Sequence, residues 1–174
     1  MKAAWLCFER AVERISTING YLSGVLIAVS ATIVTYEVVW RYFFSHPHAW
    51  SLELNIFLLI AATFLAASYT QFKRGHIGTE VLDLVLSKRL ILWRIFLGDC
   101  LSFVFCIFIG IQVSLYAMKA WREGWVTDSV WAPSLWVPYS LIAIGMILIS
   151  LQYLVQIVNE VAALIAVDQK GELK

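Results

Sequence analysis

Few ionisable residues lie in or beside the apolar parts of this chain, and their spacing limits the chemistry they could do. Glu37 and Arg41 are four apart, the order that lets an acid and a base meet on one helix face, and Glu53 follows just beyond a short turn, within reach of Arg41. Such a group could be a structural ion cluster that fixes helix ends or part of a proton or ion relay; the structural cluster is the expectation. His46, His48 and His76 all fall outside the apolar runs, which counts against a haem-holding bundle, since haem needs imidazoles between the helices. The His46-Pro47-His48 pair has no nearby cysteine or paired carboxylate, so no metal site is expected. Cys7, Cys100 and Cys106 lack metal or redox spacing. No nucleophile has a base beside it, and there is neither a phosphate loop nor an arginine cluster for nucleic acid. The sequence therefore predicts no catalytic role, no cofactor and no nucleic-acid partner.

The elements that hold these residues are set by hydropathy. Of the 174 residues, 61% are hydrophobic and 14% charged, and four apolar runs cover residues 20–44, 52–72, 90–116 and 135–158. Each reaches the ~20 residues that cross a ~30 Å hydrocarbon layer as a helix. Membrane strands would alternate in polarity over about ten residues, which these continuous runs do not do. The fold predicted is an all-α integral membrane protein of four transmembrane helices, as one domain over residues 1–174.

Charge predicts its orientation. Ten basic residues, Lys2, Arg10, Arg14, Lys73, Arg74, Lys88, Arg89, Arg94, Lys170 and Lys174, flank one face of the four spans, and three, Arg41, Lys119 and Arg122, flank the other. Short loops rich in Lys and Arg stay in the cytoplasm, so both termini are expected inside. The amino-terminal stretch is charged as far as Arg14, and no cleavable signal peptide is expected. Six of the eight tryptophans, Trp40, Trp50, Trp121, Trp125, Trp131 and Trp136, lie toward the outer face. They read either as a belt in the lipid headgroups or as a surface that meets protein.

Two shorter segments are amphipathic. Trp5, Phe8, Val12 and Ile15 recur at helical spacing between charged residues, which predicts an amino-terminal helix at the membrane surface that runs into the first span. After the second span, Val81, Leu82, Val85 and Leu86 form an apolar face between Thr79, a candidate cap, and Lys88-Arg89. They predict a short horizontal cytoplasmic helix. Small residues then mark helix contacts, because lipid supplies no hydrophobic drive and close backbone approach must replace it. Gly98, Ser102, Cys106, Gly110 and Ser114 recur every four residues along the third span, a stripe for packing within the bundle or against another chain. Within the spans Asn55, Gln112, Gln152 and Gln156 are expected to hydrogen-bond between helices.

Two stretches, in this order and at these places relative to four spans, resemble the small four-helix membrane subunit of TRAP (tripartite ATP-independent periplasmic) transporters, the DctQ type. The first is Arg41-Tyr42-Phe43-Phe44, then Pro47, Trp50 and Glu53; the second is Gly75-His76-Ile77 with Glu80. The resemblance covers most of the chain and implies two protein partners in a bacterial inner membrane. A periplasmic substrate-binding protein captures an organic acid, and a large membrane subunit carries it inward on a sodium gradient. Substrate and sodium sites belong to the large subunit, and the small subunit acts as a scaffold against which it moves. In that setting Trp121, Arg122, Trp125, Asp128 and Trp131 form an outer loop whose aromatic and charged groups suit docking of the binding protein. An assembly or sensory subunit of another membrane complex, or a small independent transporter, are the alternatives.

Overall fold

The computed structural model describes residues 2–46, 48–73 and 88–171. Among them the chain forms four helices, α1 Lys2–Phe44, α2 Ala49–Phe72, α3 Lys88–Glu123 and α4 Trp136–Gly171, and an isolated bridge between Val126 and Ser134. Each helix contains a stretch long and apolar enough to cross a membrane, so this is an all-α, multi-pass membrane protein. The expected horizontal helix, together with Gly75, His76, Ile77 and Glu80, lies outside the described residues, as does Pro47.

The helices overrun the apolar runs that predict them. α1 has 43 residues. At ~1.5 Å per residue it rises about 64 Å, roughly twice the ~30 Å hydrocarbon core. A helix satisfies its own backbone groups and has no need to end where the lipid tails end; hydropathy marks only the part in hydrocarbon. The amphipathic amino-terminal segment is thus the continuous beginning of α1. Its contacts include protein: Val12 and Ser16 are buried, and Asn159 Nδ2 near the end of α4 donates to Glu9 Oε1 at 2.7 Å.

Local chemistry ends the helices. Ser45 takes φ 55° and its N–H returns to the Arg41 carbonyl at 3.0 Å, closing α1. Gly124, at φ 66°, closes α3 in the left-handed conformation that a side chain resists, and Trp125 N–H reaches the Ala120 carbonyl at 3.0 Å. Pro138 sits in the first turn of α4, where a missing N–H costs no helical bond. Inside the spans Thr32, Thr35, Thr63, Ser114 and Ser150 donate to carbonyls of the preceding turn, so their hydroxyls do not face lipid unsatisfied.

α4 is the central helix: it packs on α2 and α3 and touches α1, while α1 packs on α2 and α3 packs extensively on α4 alone. In its most apolar stretch 39% of α4 is buried, against 11% in α1 and in α3, so the two outer helices leave most of their apolar surface to lipid or to another protein. The α2/α4 contact depends on Gly145, where a Cβ would stand 2.6 Å from the Cβ and carbonyl oxygen of Phe64. Cys106, Met146 and Tyr153 form the buried α3/α4 core.

Polar side chains also join the helices. Gln71 Nε2 donates to Gln156 Oε1 at 2.7 Å, and Gln156 Nε2 returns to the Gln71 carbonyl at 2.9 Å. Ser16 Oγ donates to the fully buried Gln152, and Ser30 Oγ to Asn55. Asn55, Gln152 and Gln156 thus bond between helices as their polarity predicts. Gln112 does not follow them, because it lies on the exposed side of α3.

Candidate functional site

The outer end of the bundle, as the charge pattern orients it, gathers the candidate ion cluster and the candidate docking loop, because the α1–α2 turn and the α3–α4 loop both lie there. In the first of these, Glu37 does not pair with Arg41. Its Oε1 accepts the His48 backbone N–H at 2.9 Å, and its Oε2 lies 2.9 Å from His48 Nδ1. His48 is the N-cap of α2, so the carboxylate also sits at the positive end of that helix. The His48 ring is surrounded by Tyr36, Trp40 and Trp50, with centroids 5.2 to 6.0 Å away.

Glu53 is likewise elsewhere. Its Oε1 accepts from Thr127 Oγ1 at 2.8 Å, tying α2 to the α3–α4 loop. The expected cluster of Glu37, Arg41 and Glu53 therefore separates into two links, and the guanidinium of exposed Arg41 pairs with neither acid among the described residues. The reason is geometric: a carboxylate at the end of α1 finds a backbone N–H and an imidazole across the turn, whereas Arg41 can stay solvated at the membrane edge. Arg41 lines, with Glu37, His48 and Asn55, a pocket of ≈ 350 Å³. Beyond it Tyr42 and Phe43 meet edge to face and are 82% and 71% exposed.

The α3–α4 loop is built rather than slack. Thr127 N–H donates to the Pro133 carbonyl at 3.1 Å and Leu135 N–H to the Trp125 carbonyl at 2.9 Å, across the Val126–Ser134 bridge. Ala132 N–H donates to Ser129 Oγ, which lies 3.1 Å from Thr127 Oγ1. Thr127 spends its one proton on Glu53, so Ser129 must donate to Thr127, and the donor chain runs inward to the carboxylate. On this frame Trp121 stacks edge to face on Trp136 with centroids 4.7 Å apart. Trp125 is held by its Nε1 bond to Glu123 and by Lys119 over its ring. Arg122, Asp128 and Trp131 are exposed, and Val130 projects at 94% exposure.

The small-residue stripe of α3 divides between two environments. Cys106 and Gly110 are buried and Ser102 and Ser114 half-buried, on the side toward Met146 and Tyr153 of α4; Gly98 is exposed, with open space where its Cβ would be. Alongside the stripe a groove of ≈ 510 Å³ runs between α3 and α4, floored by Gly110, Ser114 and Ser150.

Sequence reasoning missed His48 and Thr127 as partners. Their signal was positional: His48 directly precedes an apolar helix, and Thr127 lies in the loop that must return over the start of α2. Arg41 was preferred because i to i+4 spacing is visible in one dimension, and a contact across a turn is not.

Comparison with known proteins relates the chain to a family and to a curated relative. The family model described as "Tripartite ATP-independent periplasmic transporters, DctQ component" matches residues 30–163, a stretch that takes in most of all four apolar runs. A relative from Vibrio cholerae serotype O1, named "C4-dicarboxylate TRAP transporter small permease protein DctQ", is 23% identical over 175 aligned residues, covering 88% of this chain and 75% of the relative.

Proposed function

Because the chain belongs to the DctQ component family of tripartite ATP-independent periplasmic transporters, a family of transporter components and not of enzymes, we propose that it is the small membrane subunit that binds the large carrier subunit of such a transporter. The observation that carries this reading is the family match, which runs from the second half of α1 through most of α4. The packing supports it: α1 and α3 present long apolar faces that the other described residues do not cover, and a larger membrane protein can pack there.

In this reading the large subunit moves an organic acid inward on a sodium gradient and holds both the substrate and the sodium sites. The small subunit widens the stationary part of the complex in the bacterial inner membrane, with both termini in the cytoplasm. The name of the Vibrio cholerae relative points to a C4-dicarboxylate as the class of acid. The loop carrying Trp121, Arg122, Trp125, Asp128 and Trp131 docks the periplasmic binding protein. Its internal hydrogen bonds support this role, because a pre-ordered loop loses little entropy on contact.

Co-expression of the tagged chain with the large subunit and the binding protein tests the reading. The large subunit should be retained on the tagged chain in mild detergent, and sodium-dependent uptake should require all three proteins. Full uptake without this chain would overturn the proposal. Replacing Arg122 and Asp128 with Ala should weaken uptake at low binding-protein concentration and leave complex abundance unchanged. A loss of uptake only in step with abundance would return the loop to the lipid belt.

A further inference from the structure

Glu53 is answered on one side only. Its Oε1 accepts from Thr127, but Oε2 is buried with no hydrogen-bond partner among the described residues. Among the described residues, His48 bonds Glu37 and Lys119 pairs with Glu123 at this end, and neither reaches it. Glu53 lines a cleft of ≈ 300 Å³ between a stripe of α2, Ile56, Phe57 and Ile60, and a stripe of α4, Pro138, Tyr139 and Ile142. Both stripes step by three and four residues, so the cleft follows one face of α2 from Glu53 to Ile60 for about two turns, ~10 Å, and one face of α4 from Pro138 to Ile142 for about one turn, into the apolar layer.

An ionised oxygen against apolar walls is strongly unfavourable unless a cation or donor meets it. We infer that this cleft receives a lysine or arginine side chain of the large membrane subunit, its aliphatic stem along the apolar walls and its charged head on Glu53 Oε2. The inference rests on the reading of this chain as the small subunit. Charge complementarity names the chemistry, since a long basic side chain matches both the apolar walls and the single acceptor at the mouth. Depth names the partner: the cleft descends from Glu53 to Ile60 and Ile142, below the level at which a water-soluble protein could follow. Thr127 holds the carboxylate from the loop side, so Glu53 faces the cleft before the partner arrives.

A photo-crosslinking residue at Ile56, which is 45% exposed, tests this in membranes containing all three subunits. The expected product is an adduct with the large subunit, mapping to a segment that carries Lys or Arg. Glu53→Gln should reduce large subunit retained through detergent washing by at least about tenfold, because the partner's cation loses its counter-charge. Thr127→Val keeps the carboxylate and should retain within about twofold of the original. An adduct with the binding protein alone, or with lipid alone, overturns the inference. So does undiminished retention by Glu53→Gln, or a Thr127→Val loss equal to it, which would mean that Glu53 acts by holding the loop. Should Glu53→Gln fail to accumulate, the Ile56 adduct in the otherwise unchanged chain decides. If the unchanged chain retains no large subunit, the proposed function fails with it; retention with no Ile56 adduct removes the cleft alone.

Discussion

Arg41 and His48 compete for Glu37, and the winner illustrates how a membrane edge selects partners. A half-buried carboxylate is stabilised most by donors that are already held in place, and His48 offers a backbone N–H and a ring nitrogen at 2.9 Å each. Arg41 would have to give up hydration and side-chain freedom for one pair. A double-mutant cycle on thermal unfolding in detergent should therefore show clear coupling between Glu37 and His48. The corresponding cycle for Glu37 and Arg41 should be close to zero. Coupling in the second cycle and none in the first would restore the ion pair read from spacing.

Contacts between elements rest on a few close approaches and a few buried amides. Gly145→Ala places a methyl group against the Phe64 backbone and should separate α2 from α4, destabilising the protein by about 1 to 3 kcal/mol. Gly98→Ala, in open space on α3, should change stability little by the same measurement. Gln152→Leu removes the acceptor of Ser16 in the α1/α4 contact, and its cost should be modest, about 0.6 to 2 kcal/mol. The contrast decides which effect dominates: backbone approach costs more to disturb than one interhelical hydrogen bond. A Gln152→Leu loss larger than that of Gly145→Ala would reverse the ranking.

Across the whole molecule the uneven burial matters most. α4 takes part in most of the interhelical contacts, α1 packs chiefly on α2, and among the described residues the flanking helices are left largely open, an arrangement suited to a component that is completed by another membrane protein. Its orientation gives a direct test. Single cysteines in place of His46 and Val130, both exposed at the end carrying the α3–α4 loop, should react with an impermeant reagent in intact cells. A cysteine in place of Lys73, exposed just past the other end of α2, should react only after permeabilisation. The reverse pattern would invert the topology that the ten-to-three distribution of basic residues predicts.

Composition and order along the chain determine the fold class, since every backbone group in lipid must be satisfied internally and four apolar runs of this length can then only be helices. The paired loop motifs, Arg41 to Glu53 and Gly75 to Glu80, also carried the family. Polarity inside an apolar run is local information, so the need of Asn55, Gln152 and Gln156 for partners on other helices was legible as well. Which partners they found was not. Glu37 meeting His48, Glu53 meeting Thr127, Gly145 lying under Phe64 and α4 becoming the centre all depend on how helices distant in sequence are set side by side. Lipid exerts no preference among apolar faces, so hydropathy cannot choose between neighbours; shape and a few hydrogen bonds choose, and these exist only in three dimensions.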